Sequence, residues 1–484
     1  MEGFGHLFQV HIGESICIGC DFSHLCAPAA SGRNFPVAGF AQYALHQAEL
    51  VEFYGKMRRM QPLKVLRNVT QLVVKFAAGE VVARLCTLAL YAFTTREFGV
   101  AIFGIVALAQ TVSAYVTVVA DQGFKLIGAR IVARNPQFGN EVIRIIVPRR
   151  AISACVAALG GCAYAIWGPL PPEARPVVAI FALGVIPASF ALDWILWGTG
   201  SYLALSGWKA LVGIVSAGLA IGGMLLISHP LWVIPIANVA GAMTGAVVLW
   251  LFVNSTFIKD HPKQDHTQIS EIRDELHTSK VVKLGTANIL NLVFTNSDLL
   301  ILAAIATTSE VGSYGAATRL LFVIFSAYYL LLNTLFPLFA RVKDNHTLKR
   351  YVFLCLVLFL IFGGAAASVL SHYSAQVLAL LYGPNTHAAR LLHIVAFALP
   401  FDLGTALMGI VLASQGYESI LLRCLAIAAA VNVALNIVFI PQYRAIAASW
   451  STVASYCVLW LLLAFSLFRI KSRESLLVNT QVEA

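Results

Sequence analysis

Residues 71–94 read QLVVKFAAGEVVARLCTLALYAFT. This run is long enough, as a helix, to cross the apolar core of a bilayer, which takes about 20 residues. It nevertheless contains Lys75, Glu80 and Arg84. A charge at a helix centre costs roughly 2.5 to 3.5 kcal/mol on insertion scales, so each must face protein or a wet cavity. Glu80 and Arg84 are four apart, on one helix face, and within reach of each other. Lys75 lies on the opposite face, near the end of the run, where its stem can carry the ammonium to the interface.

The rest of the chain resembles this run in hydropathy. Of 484 residues, 59% are hydrophobic and 12% charged, with a mean hydropathy of +0.79. Soluble domains carry about 25% charged residues. Lipid is the solvent that suits such a composition, and inside lipid only helices and closed barrels satisfy their own backbone. The long continuous runs select helices over the alternating ten-residue strands of a barrel. Spans are expected at 71–94, 98–120, 150–168, 176–198, 208–227, 231–253, 284–306, 315–339, 351–371, 387–412, 418–440 and 445–469.

Charge supplies an orientation. Counted over alternating loops, one side holds 25 Lys and Arg residues, and the other holds Arg96, Arg175, Arg390 and Arg444. Cytoplasmic loops carry the excess of Lys and Arg, so both termini are expected inside. The net charge of +10 is thereby assigned to topology, and no nucleic-acid partner is expected.

Residues 1–56 are of mixed polarity and form an N-terminal extension ahead of alternative starts at Met57 and Met60. Cys17, Cys20 and Cys26 in it lack the second ligand pair of a zinc site. No metal and no cofactor are expected. There is no G-x-x-x-x-G-K-[ST] nucleotide loop and no His-Glu-x-x-His motif, so the chain is read as a carrier and not as an enzyme.

The chain also repeats itself. Thr94-Thr95-Arg96-Glu97-Phe98-Gly99 returns as Thr307-Thr308-Ser309-Glu310-Val311-Gly312, Trp167-Gly168-Pro169 as Tyr382-Gly383-Pro384, and Ala174-Arg175 as Ala389-Arg390. One offset relates two sets of six spans by an axis along the membrane normal. The expected domains are a bundle at 57–254, a basic cytoplasmic linker at 255–283, a second bundle at 284–470 and a tail at 471–484. Substrate belongs in the cleft between such repeats.

Further polar residues fall inside spans. Asn288, Asn291, Thr295 and Asp298 step by three and four and draw one stripe along the seventh span. Such a stripe is either helix–helix glue or a cavity wall. Arg319 in the eighth span can pair with Asp298 or contact substrate. Asp193 follows Pro187 in the fourth span and Asp402 follows Pro400 in the tenth. A proline bend with an acid beyond it suits a gate or an ion site. The Glu80–Arg84 pair is either structural or an anion site in which Glu80 tunes Arg84.

The stretch Thr308-Ser309-Glu310-Val311-Gly312-Ser313-Tyr314-Gly315-Ala316-Ala317-Thr318-Arg319 behind Asp298 resembles the seventh-to-eighth-span signature of polysaccharide flippases. So do Asn432-x-x-x-Asn436, Ile440-Pro441-Gln442-Tyr443 and Ala445-Ile446-Ala447-Ala448. In the first half the resemblance runs through Phe98-Gly99, Phe103-Gly104, Gly123 and Ala129-Arg130-Ile131-Val132-Ala133-Arg134. Residues 57–470 thus resemble the multidrug/oligosaccharidyl-lipid/polysaccharide exporter superfamily, and within it the O-antigen and exopolysaccharide repeat-unit flippases. Arg444 stands where that family more often has glycine.

The resemblance implies an all-α protein of two six-helix bundles with alternating access in the bacterial inner membrane. It implies a cargo, an oligosaccharide on undecaprenyl pyrophosphate, and work alongside polysaccharide polymerase machinery. It implies a cationic cavity, for which Arg84 and Arg319 are the candidates, with Lys75 at the entrance and Asn288 and Asn291 beside them. Glu80, Asp298, Asp193 and Asp402 are candidates for ion coupling or gating. The alternatives are a multidrug/cation antiporter, a peptidoglycan lipid-precursor flippase, and a membrane polymerase or glycosyltransferase.

Overall fold

A computed structural model describes residues 62–257 (apart from 135 and 228), 278–333, 339 and 345–469. The N-terminal extension with its three cysteines, most of the 255–283 linker and the 471–484 tail lie outside the described residues. From Asn68 onward the chain forms one compact unit, and among the described residues every regular element is helical.

The first six expected spans lie in α1 (Pro62–Phe98), α2 (Val100–Asp121), α4 (Gly139–Trp167), the series α5 (Ala174–Leu183), α6 (Val185–Ser189) and α7 (Asp193–Gly198), then α8 (Tyr202–Leu226) and α9 (Pro230–Phe257). Between α2 and α4 runs α3 (Phe124–Arg134). The second six lie in α10 (Thr278–Ile305), α11 (Thr308–Asn333), α12 (Asn345–His372), the pair α14 (Thr386–Val395) and α15 (Leu399–Ser414), and α16 (Glu418–Arg469), which serves twice. Short α13 (Ser374–Tyr382) precedes α14. Seven helical stretches among the described residues are long and apolar enough to cross a membrane unaided. The remaining spans are diluted by the charges of α1 and α4 and the hydroxyls of α11, or are cut short.

The repeat is visible as shape. The fourth span of each set is the one that breaks, into α5, α6 and α7 in the first and into α14, a 3-10 turn and α15 in the second. Pro187 and Pro400 stand in these breaks, where a missing N–H frees a carbonyl one turn back.

The turn between the last two spans has almost no length. Within α16, Arg444 alone leaves helical geometry, at φ 50° and ψ −130°. A side chain at positive φ is strained, and glycine is the residue that adopts it freely. This is the position where the resembling family more often has glycine. Here Arg444 reaches Glu310 at 3.2 Å, an ion pair that ties the turn to the start of α11.

The two sets meet along α2 and α11. A Cβ added at Gly104 would stand 2.0 Å from the Thr308 carbonyl, and one at Gly312 would stand 1.9 Å from the Val100 carbonyl. Only hydrogen fits at either position. Around this crossing Tyr91 packs edge-on to Phe103, and Phe103 stacks on Tyr382. Arg96 donates to the carbonyls of Ala379, Leu380 and Leu381. It thus caps the last turn of α13, where free carbonyls concentrate negative charge. The molecule is therefore shut between its sets at what is called here the Arg96 end.

Candidate functional site: a charged cavity between the two repeats

Inward of the Gly104–Gly312 crossing lies a cavity of about 490 Å³. Its walls are Glu80, Arg84, Thr87, Leu88 and Tyr91 from α1, Lys209 from α8, Asn291, Thr295 and Asn296 from α10, and residues of α11 that include Arg319 and Tyr329. Asp402 of α15 and Tyr456 of α16 complete it. Both repeats contribute.

One wall is ionic. Glu80 accepts from Arg84 Nε at 3.0 Å and from Lys209 Nζ at 2.7 Å. The (i, i+4) pair read from sequence is present, and Lys209 makes it a triad. The charge count over loops included Lys209 among the 25, at the very edge of the expected span 208–227. The helix α8 begins earlier, at Tyr202, which carries Lys209 inside the span. The signal was its place directly after Trp208 in an otherwise apolar run. Backbones bring the triad together: a Cβ on Gly79 would meet the Ser206 carbonyl at 1.8 Å, and one on Gly213 would meet Ala83 at 2.8 Å, so α1 and α8 lie in direct contact. The Ser206 hydroxyl accepts from the Gly79 N–H at 2.7 Å. Lys75 is in α1, with its side chain outside the described residues.

The second repeat holds two acids sheathed in hydroxyls, of which Asp402 lines the cavity and Asp298 lies behind it. Asp298 is buried and accepts from Tyr314, from Thr452 at 3.1 Å and from the Leu299 N–H at 2.7 Å. Asp402 is buried and accepts from Tyr328 and, at 3.5 Å, from Thr405. Behind Asp298 the amide of Asn432 accepts from Ser297 and Asn436 and donates to Ser455. Among the described residues no cation is within ion-pair distance of Asp298 or Asp402.

Arg319 also faces the cavity. It does not pair with Asp298; its Nη2 donates to Thr111 Oγ1 at 3.1 Å and to the Ala107 carbonyl at 3.4 Å on α2. Its charge therefore lies at the seam between the repeats.

The polar stripe of α10 divides. Asn291 and Thr295 line the cavity, joined by Asn296, which the three-and-four spacing missed. Asn288 is exposed, one turn away from the cavity residues, and Asp298 turns into the hydroxyl cluster. A straight helix advances 100° per residue, so a ten-residue stripe drifts across more than one neighbour. Asp193 lies away from the cavity. It pairs with Lys125 of α3 at 3.0 Å; Arg150, itself buried, forms an ion pair with Asp121 at 3.3 Å and donates to the Ala191 carbonyl. The acid beyond the first proline break braces α7 against α3 and does not meet the cleft.

A family model described as "Polysaccharide biosynthesis protein" matches residues 65–343. The chain belongs to this family. No curated protein matches the sequence itself. Solved structures do match the fold. A lipid II flippase, MurJ, in an inward closed conformation superposes with a TM-score of 0.66 at 14% identity, covering 82% of this chain and 88% of that one. A multidrug resistance MATE family transporter of the MOP superfamily, inward-facing, gives 0.57 at 13% identity over 82% and 94%. A MOP superfamily transporter from Pyrococcus furiosus gives 0.52 at 12% over 83% and 95%. The polysaccharide biosynthesis chain thus has the fold of twelve-helix transporters and flippases, as its sequence pattern implied.

Proposed function

We propose that this chain flips an undecaprenyl-pyrophosphate-linked oligosaccharide repeat unit across the bacterial inner membrane by alternating access, for O-antigen or exopolysaccharide assembly. The observation that supports this best is the cavity between the repeats, in which Arg84, Lys209 and Arg319 face one space. Arginine offers a planar fork to phosphate oxygens, and lysine adds a point charge. In the empty carrier Glu80 stands in for the cargo's anion: it engages Arg84 and Lys209 until a pyrophosphate displaces it. Asn291 and Asn296 can meet sugar hydroxyls. Lys75, nearer the start of α1, would guide the headgroup in. Asn288, exposed and off the cavity, is left to the approach.

Bundles at 57–254 and 284–470, joined by a cytoplasmic linker at 255–283, would rock apart and together at the Gly104–Gly312 seam, with both termini in the cytoplasm. Asp298 and Asp402 serve coupling, since a carboxylate held by hydroxyls exchanges a proton or a small cation without breaking a salt bridge. Glu80 gates the anion site. The polymerase machinery would take the cargo on the far side. A multidrug/cation antiporter would have to bring a cation into a cavity where Arg84, Lys209 and Arg319 outnumber the acids Glu80 and Asp402, and a net positive charge disfavours that.

The test is polymer export in a strain that depends on this chain. Arg84→Ala and Arg319→Ala are expected to stop surface polysaccharide with the protein still in the membrane. Unchanged export in both variants, or ethidium efflux that depends on the protein while polysaccharide does not, rejects the reading in favour of a drug pump.

A further inference from the structure

At the end of the first repeat away from Arg96, α3 and α4 form a hairpin around the 3-10 turn Pro136–Phe138. A Cβ on Gly128 of α3 would stand 2.7 Å from the Ile146 side chain of α4. Both residues are equally far along the chain from residue 137, the middle of the turn, so the two legs run antiparallel and in register. Phe124, Ile127, Ile131 and Val132 of α3 are buried, as are Ile143, Ile146 and Val147 of α4. The hairpin is also pinned from behind by α7: Trp194 lies against Gly128, and a Cβ on Gly198 would meet the Ala129 carbonyl at 2.6 Å.

The outward faces of the two legs carry charge. Leu126, Arg130 and Arg134 are exposed and recur every fourth residue, on one face of α3. Along α4 the exposed residues run Arg144, Pro148 and Arg149, then Ile152 and Val156. On α3, leaving the membrane span α2, the order is apolar then basic; on α4, returning to its own span, it is basic then apolar. That is the pattern two antiparallel legs show when one apolar–polar boundary crosses both. The register sets Arg130 opposite Arg144, each two residues beyond the Gly128–Ile146 contact on the side away from the spans. Trp197, 46% exposed, directly precedes the Gly198 that abuts Ala129. An exposed indole at this level marks a membrane–water interface.

Arg130 and Arg144 make no hydrogen bond or ion pair among the described residues. The acids of this region are already paired, Asp193 with Lys125 and Asp121 with Arg150. Two like charges at one level of a hairpin repel each other, and an anion beside them relieves the repulsion.

We propose that the outer face of the α3–α4 hairpin is a docking surface for the anionic headgroups of phospholipids, with Arg130 and Arg144 as its principal contacts. The surface is independent of the central cavity and of what that cavity carries. Depth and charge commit it to lipid. The two arginines stand just beyond the exposed apolar stripe that begins at Ile152, which is where the phosphates of a leaflet lie. A guanidinium fork holds two phosphate oxygens at once, and basic clusters beside spans attract anionic lipid. Arg134 and Arg149, also exposed, flank the pair. Because α3 is pinned against α7, headgroups held there anchor the base of the first repeat in its leaflet.

The test is native mass spectrometry of the purified full chain in a neutral detergent, titrated with phosphatidylglycerol and, in parallel, with phosphatidylcholine. The unaltered chain is expected to retain phosphatidylglycerol the more tightly. Arg130→Gln together with Arg144→Gln should weaken its tightest phosphatidylglycerol site about thirtyfold, and either change alone about fivefold, the effect of one surface cation each. Both side chains are exposed, so the unfolding midpoint without lipid should not fall; Arg130→Gln alone decides the matter if the double variant fails to fold. Arg175→Gln with Arg390→Gln, a pair of exposed arginines at the Arg96 end, should leave retention unchanged. Equal retention of the two lipids by the unaltered chain, or unaltered retention in the double variant, overturns the proposal. An equal loss in the Arg175 and Arg390 variant overturns it too, because the effect is then one of net charge. Displacement of the lipid by glycerol 3-phosphate at comparable concentration would show a site for a small anion, and would likewise overturn the lipid surface.

Discussion

The two repeats keep charge in a membrane by opposite means. On the first repeat, Glu80 is held between Arg84 and Lys209, and the three share a net charge of plus one. On the second, Asp298 and Asp402 are surrounded by the hydroxyls of Tyr314, Thr452, Tyr328 and Thr405. An ion pair is stable while both charges stay and fails badly when one is removed. A carboxyl among hydroxyls keeps its hydrogen bonds whether it is ionised or protonated, because a hydroxyl can donate or accept. The first repeat is thus suited to exchanging one anion for another, and the second to changing its own charge.

Four substitutions can break or sharpen that contrast. Arg84→Ala should have the largest effect, lowering polymer export about fiftyfold, in line with the loss of one charge-assisted contact and an unbalanced Glu80. Export near wild type would erase the distinction between the repeats. Asp402→Asn should keep the hydroxyl partners and freeze the charge, cutting export roughly tenfold. The loss should shrink when cells are treated with an ionophore that already limits the unaltered carrier; an equal ratio with and without ionophore would speak against coupling. Lys209→Met keeps the stem and removes the charge, and should reduce export about fivefold, less than Arg84→Ala, because a forked donor is retained. Asp193→Asn should change export by less than about twofold and lower the unfolding midpoint by about 2 °C, as a partly exposed pair in a chain of this size predicts. If Asp193→Asn instead matched Asp402→Asn in export, both proline-break acids would belong to one machine.

Most of the helices were legible in the sequence because lipid forces each span to be long and apolar. The described parts of all twelve expected stretches fall largely on helices, down to the break at Arg444 between 418–440 and 445–469. The cavity was legible only where a charge stood alone in an apolar run, as with Arg84. Lys209 was hidden by its closeness to the span's edge, where a lysine is ordinarily at the interface. Asp193 and Asp402 follow prolines alike in sequence, and only packing distinguishes them. Asp193 meets Lys125 from α3, a helix whose docking site no periodicity announces.

The contact at Gly104 and Gly312 has a use beyond architecture. Backbone touches backbone there with room for nothing larger than hydrogen, and a carrier that opens at this seam must part it. A methyl group at either glycine would tax this arrangement and leave the opposite opening untouched. Alanine at position 104 or 312 is therefore a population switch. It is expected to shift the resting ensemble toward the other face, so that a membrane-impermeant thiol reagent reaches cysteines placed near Arg96 that it cannot reach in the parent. The carrier's two halves would then be read by which solvent labels them.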